Sequence, residues 1–460
     1  MSNPSANTLD IGQLLDFGPF SGLQRFVICL TALAIVLDGF DGQLIGYALP
    51  LIIKEWGITE EAFAPAVAAG LLGMAAGMAG AGLIADRLGR RLVLIGSVAL
   101  FGVATIAIGF SQGVMGIVIL RFLAGLGIGG ALPSASTMTA EFAPARSRTM
   151  AVTLTIVCYP LGGMLAGLFA GAILPTLGWR ALFWIGGAIP VGFALFLLIS
   201  LPESPRFLAQ QRARWHELVK LLARIGRPVA PDTEFTDYVS QNAATAQKKG
   251  FAALFVPAYR RDTIALCTAF FMVVLSLYSA YSWLPSMLTA EGVNVGIASQ
   301  ALTAYNLGGV FGSLAVAWLM NRYGSRWPMI INCALACLAA VAMLGLEVKD
   351  NIGALIFGFG VHGMFVNSSQ VALYALCAYV YSTEVRATGT ATALAVGRFG
   401  GILSAFVGSA VITSGGSQGF LGLLAIGMAG GAIALFFVSR HIPPVGERQA
   451  AAAAARASAS

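Results

Sequence analysis

Hydrophobic positions fill this chain in long blocks, and polar positions fall in short intervals between them. A helix that crosses a bilayer needs about 20 mostly apolar residues. Twelve blocks of that kind follow one another, near residues 25–50, 62–84, 92–110, 114–138, 149–173, 181–200, 262–289, 298–320, 328–346, 352–380, 387–413 and 420–439. They predict an all-α membrane protein of twelve transmembrane helices. One longer polar stretch separates the sixth block from the seventh, so two bundles of six helices are expected. The organisation that follows is an amino-terminal segment at 1–24, a first bundle at 25–200, a connector at 201–261, a second bundle at 262–440 and a disordered tail at 441–460.

Composition excludes the main alternative. With 58% hydrophobic and only 10% charged residues, the chain lacks the polar surface that a water-soluble globule requires. The first 24 residues show no basic cap, short apolar core and cleavage site, so the first block is expected to stay in the protein. Charge then sets the orientation. The intervals after the second, fourth, eighth and tenth blocks carry Arg87, Arg90, Arg91, Arg146, Arg148, Arg322, Arg326 and Arg386. The opposite intervals carry only Lys54, Arg180 and Lys349. By the positive-inside rule the first set is cytoplasmic, and an even helix count puts both termini there too. The net charge of +7 follows from this bias, so no nucleic-acid partner is expected.

The connector is basic, with Arg206, Arg212, Arg214, Lys220 and Arg224 among its residues. Within it Trp215, Leu218, Leu221, Leu222 and Ile225 recur at helical spacing. Such a helix either lies on the anionic inner leaflet or serves as a solvated connector. The six cysteines all fall inside expected helices, and no disulfide framework or zinc spacing is visible, so no metal is expected. Three scattered histidines, His216, His362 and His441, offer no nucleophile and base pair, which argues against an enzyme.

Four charges interrupt the apolar blocks: Asp38 and Asp41 in the first, Arg121 in the fourth and Arg398 in the eleventh. An ionised group at mid-bilayer costs about 2.5–3.5 kcal/mol on insertion scales, so a set of them calls for a compensating role. Asp38 and Asp41 stand three residues apart, on one helical face, and can act on a common cavity. Each acid and arginine taken singly is also compatible with a structural ion pair. As a set they suit a carrier of charge. A substrate carboxylate needs a fixed bidentate cation, which favours Arg398 first and Arg121 second. A proton carrier must change charge, which suits the Asp38 and Asp41 pair.

Internal repetition supports two related halves. Asp86-Arg87-Leu88-Gly89-Arg90-Arg91 is matched by Asn321-Arg322-Tyr323-Gly324-Ser325-Arg326, and Glu141 with Arg148 by Glu384 with Arg386. Related halves with substrate bound between them recur among secondary transporters.

The run Gly82-Leu83-Ile84-Ala85-Asp86-Arg87-Leu88-Gly89-Arg90-Arg91 resembles the signature loop of the major facilitator superfamily, and Arg121-Phe122-Leu123-Ala124-Gly125-Leu126-Gly127 resembles its fourth-helix pattern. Pro202-Glu203-Ser204-Pro205-Arg206-Phe207 resembles a further signature shared with sugar porters. Three other stretches are similar to the aromatic acid:proton symporter family: Asp38-Gly39-Phe40-Asp41, Ile11-Gly12-Gln13-Leu14-Leu15-Asp16, and Thr383-Glu384-Val385-Arg386-Ala387-Thr388-Gly389 with Gly397-Arg398. Departures are Ser382, where that family has proline, and Asn321, where the repeat would carry an acid. The resemblance implies a monomeric carrier in the bacterial inner membrane that takes up benzoate-like acids with protons. The proton is then the coupling ion, and no cofactor is needed.

This resemblance also implies functional roles for Asp38, Asp41, Arg121, Glu141 and Arg398. Asp86, Arg87, Gly89, Arg90, Glu141, Arg148, Glu384 and Arg386 are expected to gate, with ion pairs latching the halves together. Flat apolar walls for a ring are expected from Phe40, Tyr281 and Tyr374, and a partner for a ring hydroxyl from Gln370 or Asn367. His362 is either a proton relay or a packed, neutral histidine. The competing reading on the same scaffold is a carrier for another small organic anion, a sugar or a drug.

Overall fold

The computed structural model describes residues 8–230, 233–237, 251–382 and 385–447. Ten of its helices are long and apolar enough to cross a membrane. They are Gly22–Trp56, Glu60–Leu88, Arg90–Ile108, Val114–Phe142, Ala145–Ser200, Arg260–Ala290, Val295–Tyr323, Arg326–Leu344, Ile352–Val380 and Arg386–Phe436. Two of them, of 56 and 51 residues, are each two spans joined at one glycine. At Gly178 the chain reverses, so that Phe169 and Gly186 both meet Phe40. At Gly416 it reverses again, which sets a Cβ placed on Gly419 within 2.9 Å of Val411. Twelve spans therefore stand where the hydropathy blocks put them, six on each side of the connector, in a multi-pass membrane protein.

Two pairs of glycines form the matching turns of the two halves. Gly89 and Gly324 join spans two to three and eight to nine, and Gly178 and Gly416 join spans five to six and eleven to twelve. All four have positive φ with extended ψ: 99° and 156°, 79° and 177°, 74° and −178°, 54° and −144°. That region is essentially open to glycine alone. The turns can thus be made of one residue, with no loop between spans.

The described part of the amino-terminal segment begins at Thr8. Thr8–Asp10 pairs in parallel with Glu234–Thr236 of the connector. Asp10 caps the short helix Ile11–Asp16 by accepting from Gly12 N at 3.0 Å, and Ile11 and Leu15 are fully buried. Beside them the helix Trp215–Arg224 buries Leu218, Leu221 and Leu222, and Trp215 meets Phe235 edge-on at 5.5 Å. The apolar face expected on a leaflet or in solvent is inside the protein instead, because the amino-terminal segment folds back beside it. Span one then starts at Ser21, which forms a capping box with Gln24. Of the tail, residues 448–460 lie outside the described residues.

The two halves touch through spans one, five, seven and eight at the end remote from the termini. Gln43 Nε2 donates to Asn306 Oδ1 at 3.0 Å, and Asn306 Nδ2 donates back to Gln43 Oε1 at 2.7 Å. Both amides are buried. Gly46 lies against the Tyr281 carbonyl, and Gly163 and Gly167 leave room for Asn306 and Thr303, so small residues permit the close approach. On the side that carries both termini the halves part. A cleft of about 550 Å³ there is lined by Arg148, Thr153 and Ile156 of one half and by Met320, Val371 and Tyr374 of the other.

Two outcomes follow. Replacing Gly178 by Ala or by Asn lowers stability alike, by about 1–3 kcal/mol, because asparagine tolerates the left-handed helical region and not this one. A fall in the melting temperature of the purified protein reads this out, and unchanged melting in either variant refutes it. Leucine at Gln43 or at Asn306 alone leaves a buried amide unpaired, costing about 1–3 kcal/mol, whereas the double variant recovers part of the loss. Strict additivity in the cycle would show that the clasp has no energetic role.

Candidate functional site

Span one is 35 residues long, and Asp38 and Asp41 fall at its middle. Both are 1% exposed. Gly39 and Gly42 flank them on the side of span five. A Cβ on Gly39 would overlap the Tyr159 carbonyl, and one on Gly42 would come within 3.1 Å of the Tyr159 hydroxyl. The Asp-Gly-Phe-Asp-Gly run therefore joins two charges with the clearance that brings Tyr159 beside them.

The aspartates do not share one target. Arg398 is the cation whose charge acts on Asp38, whereas Asp41 is under the influence of Arg121 and faces Thr105. Asp41 and Arg121 lie together inside the first half. Gly70 makes room for that arginine, since a Cβ there would meet Nη2 at 2.9 Å. No ion pair closes either relation among the described residues. Asp38 Oδ1, both Asp41 carboxylate oxygens and Arg121 Nε have no hydrogen-bond partner there. The structural ion pairs that the sequence left open are thus not formed. These are buried ionisable groups held apart in a medium where attraction between charges is weakly screened.

Between the halves lies a narrow pocket of about 50 Å³. The first half contributes Leu132, Ile156, Tyr159 and Pro160, an apolar wall with one hydroxyl. The second half contributes Tyr278, Ser313, Asn367, Gln370, Val371, Tyr374 and Arg398. Arg398 is the one charged residue in this lining, and its Nη1 donates to the Tyr278 hydroxyl at 2.8 Å. Met74 Sδ of the first half lies 3.9 Å from the same nitrogen. The pocket shares Ile156, Val371 and Tyr374 with the cleft toward the termini. It shares Arg398 with a second cleft of about 610 Å³ between spans two and eleven.

The structure places Arg398, Asn367, Gln370 and Tyr374 in the lining of this pocket. It moves others away. Phe40 packs into the first half, 5.4 Å from Phe169 and against Gly186, because it points to the opposite side of span one. Tyr281 stands behind the pocket, where its hydroxyl donates to Asn367 Oδ1 and its ring touches Tyr159, Tyr278 and Tyr305. His362 is fully buried against Tyr305 at 5.7 Å, off the pocket, and neither ring nitrogen has a hydrogen-bond partner among the described residues. Arg121 also lies outside the pocket lining. Tyr159 is the residue the sequence reading missed. Its signal is Pro160, which cannot donate to the Ile156 carbonyl and so opens the helix where the pocket lies.

The residues expected to gate pair within the first half and with the segments that flank it, and among the described residues no ion pair joins them across the halves. Arg90 pairs with Asp86 at 2.8 Å, one helical turn away, and approaches Glu141 at 3.6 Å. Arg87 is exposed. Arg148 pairs with Asp16 of the amino-terminal segment, not with Glu141, and Glu141 accepts from the Ser204 hydroxyl. Glu203 organises the group, since its Oε1 accepts from the backbone N–H groups of Arg90 and Arg91, both at 3.1 Å, and of Ser204 at 2.8 Å. A negative charge thereby sits on the amino end of span three, where the helix dipole favours it. Gly89 must be glycine for a second reason, because a Cβ would strike the Glu203 carboxylate. The two signature runs meet at this point. In the second half Arg386 donates from Nε to the Tyr381 carbonyl at 3.2 Å, and Glu384 lies outside the described residues.

Comparison with known proteins agrees with this architecture. The profile of the Major Facilitator Superfamily matches residues 31–346 and, in a second alignment, 266–459. The chain is 33% identical to the gallate transporter of Pseudomonas putida, over 88% of this chain and 90% of that one. It is 34% identical to the 4-hydroxybenzoate transporter PcaK of the same species, over 90% of this chain and 92% of that one. Among solved structures, a D-xylose-proton symporter superposes with a TM-score of 0.67 over 92% of this chain and 98% of that one, at 18% identity, a likeness of fold alone. The chain belongs to the Major Facilitator Superfamily, and it is a membrane carrier rather than an enzyme.

Proposed function

We propose that this protein carries an aromatic carboxylate together with a proton across the cell inner membrane, as a monomer with both termini in the cytoplasm. The observation that supports this most is Arg398, a lone guanidinium in a pocket walled by tyrosines and amides. A guanidinium fork matches the two oxygens of a carboxylate. Tyr159 and Tyr374 supply flat faces for a ring, and Gln370 or Asn367 an amide for a ring hydroxyl. A hydroxybenzoate, the substrate class named for one relative, has both groups.

The proton is assigned to Asp38 and Asp41. Asp38 belongs to the first half and the arginine acting on it to the second. An ionised Asp38 competes with the substrate anion for the charge of Arg398, and a protonated one leaves that charge to the substrate. Asp41 with Arg121 forms the companion site inside the first half. The cleft open toward the termini corresponds to the inward-facing state, with the Gln43 and Asn306 clasp shut outside. Asp86, Arg87, Gly89, Arg90, Glu141, Arg148 and Arg386 act on the inner gate as the halves rock.

Uptake of labelled 4-hydroxybenzoate into proteoliposomes with an imposed inward proton gradient tests the anion site. Arg398→Gln raises the apparent KM by about 10- to 100-fold, the worth of a charge-assisted hydrogen-bond pair, and Arg398→Lys recovers only part of it. Wild-type uptake by the Gln variant would assign the carboxylate elsewhere. Asp38→Asn and Asp41→Asn are expected to abolish accumulation against a gradient, while counterflow of substrate down its own gradient persists. Full accumulation by both variants would sink the assignment of the proton.

A further inference from the structure

The matching turns of the two halves, on the side of the termini, share their glycine and two arginines but differ in the side chains around them. Arg87, Gly89 and Arg91 of the first turn correspond to Arg322, Gly324 and Arg326 of the second. Around the first turn the exposed side chains are Leu83, Leu88 and Leu92, and at the same three positions of the second stand Trp318, Tyr323 and Trp327. All six are more than half exposed. The aromatic set is not inert, because it holds the arginines. The Arg322 guanidinium lies 5.6 Å from the ring centres of both Trp318 and Tyr323, and that of Arg326 lies 5.9 Å from Trp327. Tryptophan and tyrosine at span ends sit at the headgroup level of a bilayer.

Among the described residues, two acids of the first turn have no acidic counterpart at the second. Asp86 is replaced by Asn321. The Glu203 carboxylate, which accepts from Arg90 N and Arg91 N at the start of span three, has a neutral counterpart at the start of span nine. There the Ile442 carbonyl accepts from Ser325 N at 2.9 Å, and Ile442 and Pro444 cover Gly324 as Glu203 covers Gly89. Among the described residues neither Arg322 nor Arg326 forms an ion pair. At the first turn Asp86 and Glu141 gather around Arg90 and the connector's Glu203 takes the backbone N–H groups, whereas the second presents two ring-stacked guanidinium groups on an exposed surface at a span end.

We infer that the turn between spans eight and nine binds the phosphate headgroup of an anionic phospholipid, with Arg322 and Arg326 taking the phosphate and Trp318, Tyr323 and Trp327 seating the glycerol and upper acyl region. Basic clusters beside spans on the positive side of a membrane protein recognise such headgroups. The matching turn of the first half does not, since its three exposed positions are aliphatic and, among the described residues, no ring holds Arg87 or Arg91.

Native mass spectrometry of the purified full-length protein, exchanged into mixed micelles of phosphatidylglycerol and phosphatidylcholine, tests this. The wild type retains phosphatidylglycerol in preference. Arg322→Gln with Arg326→Gln lowers that preference by about fivefold per arginine. Trp318→Leu, Tyr323→Leu and Trp327→Leu together install the residues that the first half already uses at these positions, and lower it as well. High salt weakens retention in the wild type, and millimolar inorganic phosphate leaves it unchanged. Equal retention of the two lipids by the wild type, or an unchanged preference in both variants, overturns the proposal. So does displacement by inorganic phosphate, which would mark a site for the free ion.

Discussion

Charges buried at mid-span and kept out of contact are the constraint from which the rest of this structure follows. A buried polar group without a partner costs about 1–3 kcal/mol, and more when it is charged. Asp38, Asp41 and Arg121 all bear such atoms among the described residues. Closing them into ion pairs would relieve much of that cost, yet the helices hold them apart. An ion pair made in the resting protein is a site already filled. Separated charges leave each group open to a counter-charge from outside, which in the proposed cycle is the substrate anion for Arg398 and the proton for the aspartates.

Holding charges apart demands rigid backbones, and glycine supplies them by letting helices touch. Gly39 sits on the Tyr159 carbonyl, Gly70 on the Arg121 guanidinium and Gly46 on the Tyr281 carbonyl. In each case a single methyl group would push a span outward and change the spacing that the charges depend on. The turn glycines act differently. Gly89, Gly178, Gly324 and Gly416 adopt a conformation nearly closed to other residues, so each reverses the chain without a loop. One set fixes distances within a half and, at Gly46, between the halves, and the other fixes which spans are neighbours.

The spans were legible because hydropathy is a property of whole segments, and the two unbroken helices of the structure still reverse where the blocks end, at Gly178 and Gly416. The face each side chain occupies was less legible. Nearly every residue of span one from Ala34 to Pro50 is buried, whether toward the pocket or toward the first half's core, so no amphipathic stripe separates Phe40 from the pocket side. Asp38 and Asp41 share a face by spacing, yet three residues leave them about 60° apart, enough to address different arginines. Tyr281, expected as a wall for the ring, stands behind the pocket with its hydroxyl committed to Asn367, a long-range pairing that no local pattern records. Glu203 stood in plain view in its signature run, whereas its role depends on backbone N–H groups 112 and 113 residues away.

The repeat shows what a two-half carrier keeps in common and what it divides. The turns, their glycines and the arginines beside them recur, because both halves solve the same packing problem. The chemistry does not recur. The first half holds Asp38, Asp41 and Arg121, and the second holds Arg398 with the pocket's tyrosine and amide wall. Only charges on opposite sides of a moving joint change their separation when that joint rocks. Asp38 belongs to one half and Arg398, whose charge acts on it, to the other, so motion of the halves and occupancy of the pocket alter the same electrostatic energy. Asp41 and Arg121 ride together on one body and keep their separation throughout. In the proposed cycle the first pair couples binding to movement, and the second sets the charge state that the moving half carries.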